Sequence, residues 1–316
     1  MRERKPDQKT LDTLAAMSAP PMSATQVSPP PDHAFSLSAQ DGLMLHVCEW
    51  QPADDRQAGV VVFLHGLCGS GLWYGELART ITHIGWTFWA PDLRGHGQSG
   101  GPRAGLRKDD DLLQDAATVL DAVRQRYPHQ RIVLMGHSMG GLVAGRFAVP
   151  PPGTAPTWWR DIDGAILLAP ALQPTLSLTQ KALLTTMGRL LLDVSLPVGI
   201  DFSWTCDDAE LVARLAKDPA MHGRITPRLG LFLYREGEAL QQQAAGLAVP
   251  TLLVYSMADR LVAADGCERL ARQAPPALLT VKVFDKLAHS IVLEPDRAQV
   301  LGELTRWLLQ FKVSRA

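Results

Sequence analysis

A series of short apolar runs separated by helical stretches limits the folds open to this chain more than any other feature. Gly59-Val60-Val61-Val62-Phe63-Leu64 is apolar without a break. A strand with one wet face alternates apolar and polar residues, so this pattern fits a strand covered on both faces of a parallel sheet. Comparable runs recur at Thr87–Ala90, Arg131–Met135, Gly164–Leu168, Thr251–Tyr255 and Leu279–Phe284. Between most of them lie helical stretches, Leu72–Ile84, Asp110–Tyr127, Met139–Ala148, Gly266–Gln273 and Arg297–Phe311. That alternation implies an α/β protein, a mostly parallel central sheet with helices on both faces. Upstream, Phe35–Ala39 and Leu43–Trp50 flank Gln40-Asp41-Gly42, and Asp-Gly supplies the positive φ that a tight hairpin turn needs.

The alternation has two interruptions. Residues 1–33 are polar and proline-rich and cannot bury enough apolar area to offset their ordering entropy, so a disordered tail is expected. From Ala171 to Val249 no strand-like run occurs, while Leu183, Leu184, Met187, Leu190 and Leu191 fall at helical spacing. Asp207 is placed to cap a helix, with Glu210 three residues on and Pro219 to end it. The expected organisation is therefore a core of 34–171 and 249–316, interrupted by a helical cap over 172–248.

Composition removes several function classes. Lys+Arg total 31 and Asp+Glu 32, a formal net charge of −1. A dedicated nucleic-acid binder carries a basic surplus to neutralise phosphates, and there is no polybasic hook for anionic lipid. Cys48, Cys68, Cys206 and Cys267 are widely spaced without a C-x-x-C pair, so reduced thiols are expected rather than disulfides or a metal cluster. No apolar run approaches the ~18 residues of a membrane span, and no signal-like apolar region follows Met1-Arg2-Glu3-Arg4-Lys5. The expected setting is cytoplasmic; transient contact of the cap with a membrane surface stays open, and the oligomeric state is not legible.

In parallel sheets, ligands bind outside the carboxyl ends of the strands, so the residues following each strand are the ones to inspect. After Arg131–Met135 comes Gly136-His137-Ser138-Met139-Gly140-Gly141, G-x-S-x-G between a strand and a helix. A serine on so sharp a turn needs small residues two before and two after it, and Gly136 and Gly140 satisfy this. The helix N-terminus beyond it favours developing negative charge. Ser138 is the candidate nucleophile; His137 is assigned a packing role. After the first buried strand stands His65-Gly66-Leu67-Cys68-Gly69. The backbone N–H groups of Leu67 and Met139 are the expected oxyanion donors, and Cys68 is a neighbour only. In the order Ser…Asp…His, the base is His289, which follows a late strand, with His222 in the cap as competitor. Asp259, after Thr251–Tyr255, is the expected orienting carboxylate, and Asp265 the fallback.

These motifs in this order resemble the α/β-hydrolase superfamily, and more narrowly its monoacylglycerol lipase and lysophospholipase group. The resemblance rests on Pro91-Asp92-Leu93-Arg94-Gly95-His96-Gly97-Gln98-Ser99-Gly100-Gly101-Pro102-Arg103, Gly136–Gly141, Ala258-Asp259-Arg260 and Ala288-His289. The cap segment Asp218-Pro219-Ala220-Met221-His222-Gly223-Arg224-Ile225 adds to it. It implies an α/β-hydrolase fold with an inserted helical cap, a Ser138–Asp259–His289 triad, oxyanion donors at Leu67 and Met139, and ester hydrolysis without cofactor or metal on a small acyl ester. One departure stands out: the group carries Glu-His and Arg just after the oxyanion loop, where this chain has Gly69-Ser70-Gly71-Leu72-Trp73-Tyr74. The Asp92/Arg94/His96 loop is expected to be a hydrogen-bonded turn beside the site. Leu183, Met187 and Leu190 either pack the cap or line an acyl pocket, and Trp158-Trp159 anchors the proline-rich loop before it. Aminopeptidase-like, thioesterase or carbon–carbon hydrolase chemistry on the same scaffold, and a non-catalytic ligand-binding module, are the competing readings.

Overall fold

The computed structural model of the protein describes residues 28–53, 57–172 and 192–312. The hairpin forms as its turn chemistry requires: β1 (His33–Ser38) and β2 (Met44–Trp50) pair antiparallel with Ser38 opposite Met44, and Gly42 takes φ +82°. The strands β3 (Gly59–Leu64), β4 (Trp86–Pro91), β5 (Ile132–His137), β6 (Gly164–Leu168) and β9 (Thr251–Ser256) are buried along their whole length, as their unbroken apolar runs demand. The edge strand β10 (Leu279–Phe284) is only half covered. Together they make an eight-stranded sheet in the order β1-β2-β4-β3-β5-β6-β9-β10, parallel from β4 onward.

Consecutive residues of one strand feed opposite cores. Val60, Val62 and Leu64 of β3 pack in one buried cluster with α2 (Asp111–Arg126) and α3 (Met139–Ala148), whereas Val61 and Phe63 pack in the other with α1 (Gly75–His83) and α7 (Ala298–Lys312). The strand order reverses between β3 and β5, and the loops leaving both strands meet at that switch point, where open α/β sheets bind ligands. Among the described residues no helix is long and apolar enough to cross a membrane.

Between β6 and β9 the chain leaves the sheet. A two-residue ladder joins β7 (Leu196–Pro197) to β8 (Arg224–Ile225), so this interval does contain strand pairing, too short to be visible as an apolar run. The short helix α4 (Ala209–Leu215) is capped by Asp208, whose Oδ1 accepts from Leu211 N–H at 2.9 Å. That corrects the expected cap at Asp207, whose own N–H is occupied by Glu294. The helix also stops short of Pro219: Lys217 and Asp218 close i→i−3 turns, because a residue before proline is pushed out of the helical region. The long helix α5 (Pro227–Gln242) begins at the Thr226 cap with proline in its first turn. Its Leu229, Phe232, Leu233 and Leu240 lie in the same buried cluster as the sheet, so this part of the 172–248 interval packs with the core. α6 (Ala264–Gln273) follows β9.

Residues 28–33, expected in the tail, are held in place: Trp50 Nε1 donates to Pro29 O, Gly75 N–H to Ser28 Oγ, and Arg79 grips Asp32 in a two-pronged ion pair.

Candidate active site

The turn after β5 is built around missing side chains. A Cβ on Gly136 would sit 2.1 Å from Gly140 O, and one on Gly140 would sit 2.0 Å from Leu64 O. Ser138, between them, takes φ +54° and ψ −116°, a strained backbone position that lifts its side chain off the strand at the start of α3. Its N–H donates to Leu168 O at 2.9 Å, which keys the turn to β6.

The loop after β3 closes against this turn. A Cβ on Gly66 would come within 3.2 Å of Ser138 Cβ. His65 fixes the loop from both ring nitrogens: Nδ1–H donates to Gly66 O at 2.7 Å and Nε2 accepts from Leu93 N–H at 2.9 Å. Cys68 takes φ +63°, and burial pushes its thiol up to about 11, so it stays protonated and is a poor nucleophile. Asp92, at the end of β4, accepts from Ser70 Oγ, Gly71 N–H and Gln98 N–H, each at 2.8 Å. Arg94 is clamped by Asp115 at 2.6 Å. The Asp92/Arg94/His96 loop is thus a hydrogen-bonded turn, as expected.

After β10, His289 hydrogen-bonds through Nδ1 to Asp259 Oδ2 at 2.7 Å. Asp259 follows β9 and accepts from Leu261 and Val262 N–H through Oδ1. Burial opposes its ionisation, but the His289 imidazole and these hydrogen bonds outweigh that and hold the carboxyl below its ordinary value. A carboxylate accepts only, so Nδ1 carries the proton and Nε2 keeps its lone pair. The fallback carboxylate Asp265 is an exposed first-turn residue of α6. The competing His222 instead packs its ring 4.8 Å from His96.

These pieces meet at one cavity of about 510 Å³, whose wall includes Leu67, Ser138, Met139 and His289. Ser138 and His289 share that wall without a direct hydrogen bond between them, a bond that in substrate-free enzymes often tightens only on complex formation. Phe202, Trp204, Leu215 and Ile225 from the β6–β9 interval roof it. Arg260 lines it too and stacks 4.2 Å over the Trp204 ring, and none of its described lining residues is acidic. Leu183, Met187 and Leu190, the expected acyl-pocket residues, lie outside the described residues. Trp158 packs edge-on to Phe147 at 5.3 Å, an anchor for its loop.

Two contributors escaped the sequence reading. Trp73 stands where the resembling group has charged residues; it lines the cavity and donates from Nε1 to Asp218 at 2.7 Å, joining core to roof. His137 is buried, as packing would have it, yet it bonds to His289 O and Tyr74 Oη. The available signal was its place beside the candidate nucleophile at the end of a buried strand.

Comparison with known proteins bears on the family and the fold. The sequence profile of the Hydrolase_4 family, described as serine aminopeptidase S33, matches residues 55–296. Over 282 residues the chain is 28% identical to a monoacylglycerol lipase of Mycolicibacterium smegmatis, covering 88% of this chain and 96% of that protein. It is 28% identical over 276 residues to human monoglyceride lipase, covering 85% of this chain and 88% of the relative. The solved monoacylglycerol lipase of Paleococcus ferrophilus superposes with a TM-score of 0.74 at 26% identity, over 84% of this chain and 99% of the other. A profile that spans most of the sequence, on an eight-stranded sheet of this topology, makes the chain a member of the serine aminopeptidase S33 (Hydrolase_4) family, with the α/β-hydrolase fold.

Proposed function

We propose that this protein is a serine carboxylic-ester hydrolase that cleaves monoacylglycerols or lysophospholipid-like acyl esters through an acyl-enzyme on Ser138. The observation that carries the reading is the shared cavity: an apolar chamber with a strained serine and an Asp-paired histidine in one wall. The names of its relatives, monoacylglycerol and monoglyceride lipases, support the substrate class. In the proposed reaction Ser138 Oγ attacks the ester carbonyl carbon while His289 Nε2 takes its proton. Asp259 keeps the imidazole in the competent tautomer and stabilises the imidazolium. The N–H groups of Leu67 and Met139 receive the oxyanion. His289 then protonates the departing alcohol, and a water deprotonated by His289 releases the fatty acid.

An aminopeptidase would hold a substrate ammonium with a carboxylate near the site. The acidic residues around the start of α4 do not serve that purpose: Asp208 caps its own helix, and Asp207 and Glu210 do not line the cavity. The ester reading is therefore favoured over the family's descriptive name. Cytoplasmic residence is part of the proposal, supported by four cysteines that remain unpaired thiols. The test is an acyl-chain-length series of monoacylglycerols and nitrophenyl esters, run in parallel with prolyl amides, on the wild type and Ser138→Ala. Ester turnover abolished by the substitution is expected. Amide turnover exceeding ester turnover, or activity surviving in the variant, would overturn the assignment.

A further inference from the structure

His137, the residue before the nucleophile, sits in the middle of a hydrogen-bonded chain that joins Tyr74 to the backbone of His289. Its Nε2 lies 3.0 Å from His289 O and its Nδ1 lies 3.2 Å from Tyr74 Oη. A carbonyl oxygen only accepts, so Nε2 carries the hydrogen. In the neutral ring Nδ1 is then an acceptor, and the Tyr74 hydroxyl must donate to it. Burial, with His289 adding to it, pushes the His137 imidazole down to about 3, so it is neutral in the working range. On the same side Gly66 closes against the ring: a Cβ on it would meet His137 Nδ1 at 3.1 Å. The hydrogen-bonded line runs from Tyr74, through the neighbour of the nucleophile, to the backbone of the base, with the Gly66 loop packed against it.

The base needs such a hold. Residues 285–290 form no helix or strand, so no ladder fixes His289. What anchors it is Asp259 on the ring, His137 on the carbonyl, and the next residue's N–H, which donates to Thr205 O at 2.7 Å. The Thr205 contact comes from the roof, which leaves His137 as the anchor from the turn that also carries Ser138.

We infer that His137 is a positioning residue: its Nε2–H fixes the backbone of His289 relative to Ser138, and Tyr74 selects the tautomer that makes this possible. The inference rests on the reading of Ser138 as nucleophile and His289 as base. A displacement of about 1 Å between reacting groups costs roughly 100-fold in rate, so the effect belongs in kcat. His137 and Tyr74 line the cavity as well, but both are buried and the replacements keep a side chain of similar size, so KM is expected to move less than kcat.

The experiment is steady-state kinetics on a nitrophenyl ester with the full chain and its variants His137→Phe, His137→Gln, Tyr74→Phe and the double variant Tyr74→Phe/His137→Gln. Phenylalanine keeps the ring and removes the donor; kcat is expected to fall about 10- to 100-fold with KM changed less than about twofold. Glutamine brings its own amide donor and is expected to recover kcat to within about threefold of wild type. Tyr74→Phe leaves the tautomer unselected and is expected to lose about 3- to 10-fold, roughly one neutral hydrogen bond. That loss should vanish in the His137→Gln background, because no tautomer is left to select; such non-additivity marks two residues acting through one contact. Wild-type kcat in H137F, or no recovery in H137Q, would overturn the inference. Should H137F fail to fold, equal losses from Y74F in both backgrounds would overturn it instead. Activity surviving Ser138→Ala would strike the underlying hydrolase reading, whereas an inert Ser138→Ala beside a wild-type-like H137F would strike only the role of His137.

Discussion

Gly140 leaves no room for a methyl group, since a Cβ there would lie 2.0 Å from the carbonyl oxygen of Leu64 and 2.8 Å from that of His65. Both atoms are backbone of a buried strand end and its loop, and neither has a flexible tip that can swing aside. Gly140→Ala is therefore expected to lower the thermal midpoint strongly or to prevent soluble expression, a cost above about 3 kcal/mol in the class of overpacked backbone sites. A melting temperature within a few degrees of wild type would show that the turn relaxes more easily than its geometry says. Asp259 makes a chemical demand in place of a steric one. An amide in its place would offer either an N–H or a carbonyl to Nδ1, and the N–H form turns the ring to the wrong tautomer. Asp259→Asn is expected to reduce kcat by about 10⁴-fold with the fold intact, while Asp265→Asn, altering an exposed residue, leaves kcat unchanged. Comparable losses in the two variants would remove Asp259 from its assigned role. At this scale the place of Ser138 and His289 on one cavity wall, with Asp259 on the His289 ring, was legible, because each follows a strand that the apolar pattern locates. Tyr74 was not legible: its hydroxyl acts on a residue 63 positions away, and nothing local announces that.

At the scale of elements, the sheet strands and the helices that alternate with them fall where the apolar periodicity puts them, because burial on both faces leaves strands little choice of composition. The long helix α5 is not among the elements read from the sequence. The interval between β6 and β9 is where pattern reading was weakest. Its strand pair is two residues long, and α4 has no buried residue among its seven, so neither writes a strong hydrophobic signature. This roof is joined to the core by specific polar contacts. Trp73 Nε1 donates to Asp218, Thr226 Oγ1 to Ala104 O at 3.0 Å, and Ser290 N–H to Thr205 O. Trp73→Phe removes one hydrogen bond to a carboxylate, worth about 1.5–3 kcal/mol. Because the contact joins the roof and not the sheet, limited proteolysis around residues 216–224 is expected to quicken several-fold while the global melting temperature moves by about 2 °C or less. Equal effects on both measurements would mean that roof and core unfold together.

For the molecule as a whole, Asp92 connects β2, the loop after β3 and the loop after β4 from a single buried carboxylate, with His46 Nδ1 3.3 Å from its Oδ2. Burial opposes the charge, yet His46, His65 and the N–H groups of Gln98 and Gly71 bring its pKa down from an ordinary 3.8 to about 2. A depressed carboxylate contributes stability that is complete above the unfolded value and lost as pH falls toward the folded one. The contribution, about 2 kcal/mol, is thus present at pH 5 and above and disappears between roughly pH 4 and 2. Its partner His46 is raised, chiefly by the hydrogen bond to Asp92, to about 10, so the pair's contribution also fades as pH rises through that value. In urea titrations Asp92→Asn is expected to be less stable than wild type at pH 7, with the gap narrowing toward pH 2. A gap independent of pH would assign the loss to packing and not to charge.

The identity of the strands, the glycine-flanked turn and the places of Ser138, Asp259 and His289 after their strands were written in the sequence, because each is marked by residues within a few positions of it. The company those residues keep was decided only by folding. His137 meets His289 across 152 positions, Asp92 meets Ser70 across 22, and α5 joins the sheet's own core. Local patterning records which face of a segment turns inward, but a hydrogen bond between distant residues leaves no periodic trace, so only the packed chain reveals which buried donor answers which acceptor.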